Sequence, residues 1–150
     1  MNETIAPQTR QSIIDAEHLR LLAVAHYVSG GLTILFSSLF IFHFLIFFVI
    51  GSDPNLMPPP KPGHNQAADQ VFRMMGAIIG VFILLGWSFG ALTIYVGNSI
   101  KRRARRPLSL VVACLNLVFL PVGTLLGVAS LIVLTRSSVK QLYDAANDER

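Results

Sequence analysis

Three long runs almost free of charge constrain this chain more than any other feature: Leu21–Ile50, Val71–Ile100 and Leu108–Leu134. None holds Asp, Glu or Lys, and the sole arginine within them is Arg73, near the start of the second run. A helix that spans bilayer hydrocarbon needs about 20 apolar residues, and every run exceeds that. Only 13% of the 150 residues are charged, about half of the roughly 25% found in soluble domains. Too little charge is left to build a solvated surface, so lipid is the expected solvent. The expected fold is all-α: a polytopic transmembrane helical bundle from three hydrophobic runs, the last of them, and in one reading the first, broken or re-entrant.

The polar segments set the boundaries. Residues 1–11 are expected to form a loose N-terminal tail, 12–140 a membrane helical domain, and 141–150 a polar C-terminal tail. Ser12 followed by Asp15 resembles a capping box at a helix start. Glu17 and Arg20, three apart, share a helix face and can pair. The acidic N-terminus lacks the short apolar region of a cleavable signal peptide. Ser29-Gly30-Gly31 interrupts the first run and leaves two readings, one bent helix or a short segment followed by a span. Residues 51–70 contain Pro54, Pro58, Pro59, Pro60 and Pro62 and read as a proline-rich loop. The single cysteine, Cys114, excludes an intrachain disulfide and reads as a small buried hydrophobe.

The second run carries a glycine stripe. At about 100° per residue, Gly76, Gly80, Gly86, Gly90 and Gly97 fall within one arc of about 120°. Two G-x-x-x-G pairs, Gly76/Gly80 and Gly86/Gly90, lie in that arc, and such a face admits close approach of another helix in lipid. The partner is a helix of the same chain, a second copy or another membrane protein.

The third run contains LPVGTLLG, residues 120–127. Pro121 removes a helical hydrogen bond, and Gly123 and Gly127 loosen the helix further. The flanking halves, 108–120 and 122–134, are each about 20 Å long as helix, short of the roughly 30 Å hydrocarbon core. They form either one kinked span or a hairpin that returns to the side it entered. With a cytoplasmic N-terminus, the hairpin leaves ten of the twelve Lys and Arg residues inside and two, Lys61 and Arg73, outside. A single crossing gives seven and five. The excess of positive charge on cytoplasmic loops favours the hairpin. Its turn at bilayer depth needs hydrogen-bond partners, for which Thr124 and Asn116 are candidates.

The patterns HLRLLAVAHYVSGGL (18–32) and LPVGTLLGVASLIVLTRSSVK (120–140) resemble those of a group of small bacterial integral membrane proteins to which no activity is assigned. The resemblance implies a bacterial inner-membrane protein with three or four hydrophobic helices and transfers no catalytic residue. Ser137 stands where that group's exit pattern has proline, which would let this helix continue.

Candidate chemistry is sparse. His43, alone among apolar neighbours, is an intramembrane ionisable group; its bland reading is a hydrogen bond to Asn116 or Ser88. His18 and His26 share a helix face, but two histidines without a third ligand do not make a metal site. Lys101, Arg102, Arg103, Arg105 and Arg106 read as a topology anchor that can also contact anionic lipid headgroups. Nothing interleaved with them supports nucleic-acid recognition. No acidic residue lies in the apolar runs, and H-E-x-x-H and phosphate-loop motifs are missing. No cofactor is expected. The expected function is non-enzymatic: a structural or accessory inner-membrane subunit, N-terminus cytoplasmic, that associates through its glycine face. The alternative is a small oligomeric transporter or channel with the break at 120–127 and His43 in its pathway.

Overall fold

The computed structural model describes residues 7–52, 67–119 and 121–148. Among these residues the chain is helical, with no strand. Five helices follow in order: α1 (Pro7–Ser52), α2 (Ala67–Lys101), α3 (Arg106–Asn116), α4 (Val122–Leu134) and α5 (Ser137–Asp148). The 46 residues of α1 extend about 69 Å and the 35 of α2 about 52 Å. Both are long and apolar enough to cross a membrane, over Arg10–Ile50 and Gln70–Lys101. A third candidate joins α4 to α5, but that pair is bent by 74°. Lys140, Asp144 and Asp148 leave α5 too polar to serve as the second half of a span.

Several expectations change here. The helix begins at Pro7, so residues 7–11 are not a loose tail and Ser12 is not a cap. Asp15 lies well inside α1 and is fully buried. The Ser29-Gly30-Gly31 interruption does not break α1, which runs through it with Gly30 buried. Residues 141–148 belong to helix α5, whose Tyr143 is buried, rather than to a polar tail. Ser137 does not prolong the preceding helix, because α4 ends at Leu134 and α5 starts at Ser137 in a new direction. Of the proline-rich loop, residues 53–66 lie outside the described residues.

The chain divides into two compact units, Met1–Gly31 with Ala91–Arg150, and Leu32–Gly90. In the second unit α1 and α2 run antiparallel. Phe47 lies against Gly76, Phe44 against Gly80 and Ser37 against Gly86, so each step up α2 is a step down α1. Phe47 also meets the ring of Phe72 at 5.8 Å. The outward faces are apolar: Phe36, Phe40, Phe42, Val81, Phe82 and Leu85 are all exposed. Surfaces of this kind belong in lipid.

The first unit has a core shared by all five helices. It holds Leu19, Leu22 and Ala23 of α1, Val96 and Ile100 of α2, Val112 of α3, Leu126 and Leu134 of α4, and Val139 and Tyr143 of α5. The buried positions of α3 (Ser109, Val112, Ala113, Asn116) and α4 (Gly123, Leu126, Gly127, Ser130, Leu134) recur every three to four residues, one face per helix. Between α2 and α3 the turn is tight: Arg103 and Arg105 both adopt left-handed backbone, with φ of 50° and 52°.

Candidate functional site

The broken third run resolves as a helical hairpin. An added Cβ at Gly123 would sit 2.6 Å from the Asn116 carbonyl oxygen, and one at Gly127 would sit 2.6 Å from that of Ala113. Farther along, the Arg106 guanidinium donates to the Leu134 carbonyl through Nε at 3.0 Å and Nη2 at 2.7 Å. As α4 advances from 123 to 134, its partner in α3 retreats from 116 to 106, so the two helices are antiparallel. Glycine at 123 and 127 lets the backbones touch. Arg106 serves as a C-terminal cap for α4, where a cation also meets the negative end of the helix dipole.

The turn between these helices is internally bonded. Val118 N–H donates to Leu115 O at 3.2 Å, Phe119 N–H to Asn116 O at 3.0 Å, and Thr124 N–H to Phe119 O at 3.1 Å. The Thr124 hydroxyl donates to Leu117 O at 3.0 Å. Thr124 thus supports the turn as its residue type promised. The Asn116 side chain does not, because its amide donates back to Val112 O at 3.0 Å. Around this turn the side chains are apolar and exposed, with Val118 at 76% and Leu125 at 72%.

The glycine stripe of α2 packs on α1 of the same chain, which removes it as a free face for a second copy. Gly76 has room for a methyl group, the nearest atom being Phe47 Cβ at 3.7 Å. Gly80 meets the Phe44 ring at 3.1 Å. At Gly86 an added Cβ would collide with the Ser37 hydroxyl and come within 2.7 Å of its Cβ. At Gly97 it would meet the Ala23 carbonyl at 3.0 Å and His26 Cβ at 3.1 Å. Gly90 is buried.

His43 is exposed, its ring 6.1 Å from those of Phe40 and Phe42 on its own helix. Neither Asn116 nor Ser88 is its partner: Asn116 bonds within α3, and Ser88 donates to Leu84 O at 2.8 Å. The buried histidine is His26, fully enclosed in the first unit, with Nδ1 2.9 Å from Leu22 O and Nε2 without a hydrogen-bond partner. Cys114, expected inside, is exposed on the outer side of α3.

Sequence reasoning missed a polar cluster at the open end of the hairpin. The Asp15 carboxylate accepts from Gln11 Nε2 at 3.2 Å and from Arg136 Nη1 at 3.2 Å. The partners Asp15 and Arg136 are 121 residues apart, and no local spacing signals the pair. Arg106, read as one charge among five, is instead the α4 cap. Arg105 lies 6.0 Å above the Tyr95 ring, a cation–π distance. Tyr143 lies in α5, outside the membrane-spanning helices. Burial pushes its hydroxyl up to about 12 against the opposing charge of Arg106, so it stays a neutral phenol.

Gly86-Trp87-Ser88-Phe89-Gly90 spells G-x-S-x-G. In hydrolases that pattern needs a sharp strand-to-helix turn to expose its serine. Here it lies inside continuous α2, both glycines belong to the packing stripe, and the Ser88 hydroxyl is spent on Leu84 O. Among the described residues no group of three or more His, Cys, Asp or Glu side chains is placed to hold a metal ion. Comparison with protein-family models, with curated proteins and with solved structures gives no match.

Proposed function

We propose that the chain is a multi-pass bacterial inner-membrane protein with a structural or accessory role and no enzymatic activity. The observation that carries this is the use of the glycine face. The close-packing surface of α2 is spent on α1, and the outward surfaces of that pair are apolar. Such a body is fixed internally and offers its neighbours an apolar exterior, so contacts with a second copy or another membrane protein fall to the outward faces. The N- and C-termini are cytoplasmic. The antiparallel α3–α4 hairpin supports this by returning Arg136 to the end that holds Arg106, where the positive-inside preference is strongest. At that end the basic residues meet anionic headgroups.

Purified protein reconstituted in vesicles tests the role. Proton and potassium leaks, read with entrapped dyes under an imposed gradient, should equal those of empty vesicles. A leak that His43→Ala or Thr124→Ala abolishes would overturn the proposal in favour of a transport pathway through the broken helix. Orientation is tested separately with reporter cysteines in a Cys114→Ser background. An impermeant maleimide added to whole cells should label Asn65→Cys and leave Asn147→Cys untouched. Labelling of Asn147→Cys would place the C-terminus outside.

A further inference from the structure

We propose that the α3–α4 hairpin is a half-bilayer insert: it enters the acyl region of the leaflet bordered by its basic end, and returns without crossing. This deepens the membrane reading above and rests on it. Three observations combine. The first is length. With 11 and 13 residues, α3 and α4 extend about 16 and 20 Å, more than half of a core about 30 Å thick and well short of all of it. The second is the surface. Val111, Leu115, Val118, Val122, Leu125 and Ile132 are exposed on the two arms and the tip, so the most apolar end of the hairpin is the end farthest from its charges.

The third is the turn itself. Backbone that reverses direction in hydrocarbon is tolerated only where its polar groups are satisfied. The Val118, Phe119 and Thr124 amides all donate within the turn, and the Thr124 hydroxyl closes on Leu117 O. A turn facing water would not be ringed by exposed valine, phenylalanine and leucine. At the opposite end Arg106 bonds the Leu134 carbonyl and Arg136 pairs with Asp15, a basic collar at the level suited to headgroups. The 74° bend then sends polar α5 away from the direction of α4, as a helix leaving the bilayer for its surface would run.

The unmodified protein supplies the first test, because Cys114 is its only cysteine and lies on the outer side of α3. A thiol in hydrocarbon is out of reach of aqueous reagents. An impermeant maleimide should therefore label Cys114 about tenfold or more slowly in intact vesicles than in detergent, from either side. Spin labels then measure depth in the Cys114→Ser background. Val118→Cys should collide with lipid-dissolved oxygen more than with a water-soluble nickel chelate, and Gln141→Cys on α5 should show the reverse. Equal Cys114 labelling in vesicles and detergent, or a Val118 label that prefers the nickel chelate, would overturn the insert. So would maleimide labelling of Val118→Cys from the side opposite the basic collar, which would mean a full crossing. These readouts are independent of vesicle leakage, so a failed insert and a failed accessory role are told apart.

Discussion

Replacing Gly127 by alanine isolates the close approach on which the hairpin depends. The added methyl would lie 2.6 Å from the Ala113 carbonyl oxygen, 2.9 Å from Leu117 Cδ2 and 3.1 Å from Leu117 N. Ordinary contact begins at 3.4 Å, so α4 must retreat by about 0.8 Å. The obstructing atoms include helix backbone, which cannot rotate aside as a side chain can. Gly76→Ala is the matched control, since its methyl would meet nothing closer than 3.7 Å. Both substitutions gain the same helix propensity, about 1 kcal/mol, and the gain cancels in their difference. What remains is overpacking, typically about 1–3 kcal/mol. The retreat of α4 also loosens the adjacent contact of Gly123, so the difference should fall near the upper end, about 2–3 kcal/mol. Dodecyl sulfate titration in mixed micelles, with amide exchange resolved over α3 and α4, measures it. Gly127→Ala within about 0.5 kcal/mol of Gly76→Ala would refute the reasoning, since that is the scatter of a surface substitution.

Gly86→Ala should destabilise the α1–α2 pair by about 1–2 kcal/mol through its clash with Ser37, and Ser37→Gly in the same chain should recover most of the loss. Trp87 fluorescence reports on this, because its indole N–H donates to the neighbouring Ser38 hydroxyl at 3.1 Å. Arg136→Gln removes the countercharge of the buried Asp15 carboxylate and leaves it the Gln11 amide. Since Arg136 is itself 38% exposed, the cost should be about 1–3 kcal/mol, below that of breaking a fully buried pair, and Asp15→Asn should lower it in a double-mutant cycle. Arg103→Gly should stabilise the protein by about 1 kcal/mol, read in the same titration, because it relieves a left-handed backbone at a residue with a Cβ.

Helix class and the main packing faces were legible because they depend on short periods. The glycine stripe needs only the 100° step to be seen, and Pro121 with Gly123 and Gly127 marks the break by chemistry confined to a few residues. Thr124 was legible as a turn bond for the same reason. The partner of the stripe was not, since a glycine face fits α1 as well as it fits a second copy. The sequence leaves continuity through Gly30 and Gly31 open because local propensity penalises two glycines, whereas the helix around them is fixed by tertiary packing. Asp15 reads locally as the acidic partner in a Ser12 capping box, because its true partner Arg136 lies far along the chain. Cys114 and His43 were assigned by residue type, but their exposure follows from the rotational phase of α3 and α1, and uniformly apolar helices give little signal of phase.

The bonds that close the α3–α4 turn also carry information about time. Thr124 and Leu117 are seven residues apart, and the amide bonds of the turn span five or fewer. Contacts so local form early, on the timescale of helix and loop closure rather than of helix docking. Neither arm has the roughly 20 apolar residues that let a segment partition into lipid by itself. For a hairpin seated in one leaflet, this sets the order of biogenesis: the turn closes, the arms zip across Gly123 and Gly127, and they enter lipid together. Arg106 reaches the Leu134 carbonyl only when the last turn of α4 has formed, which makes the cap the final step in sealing the hairpin.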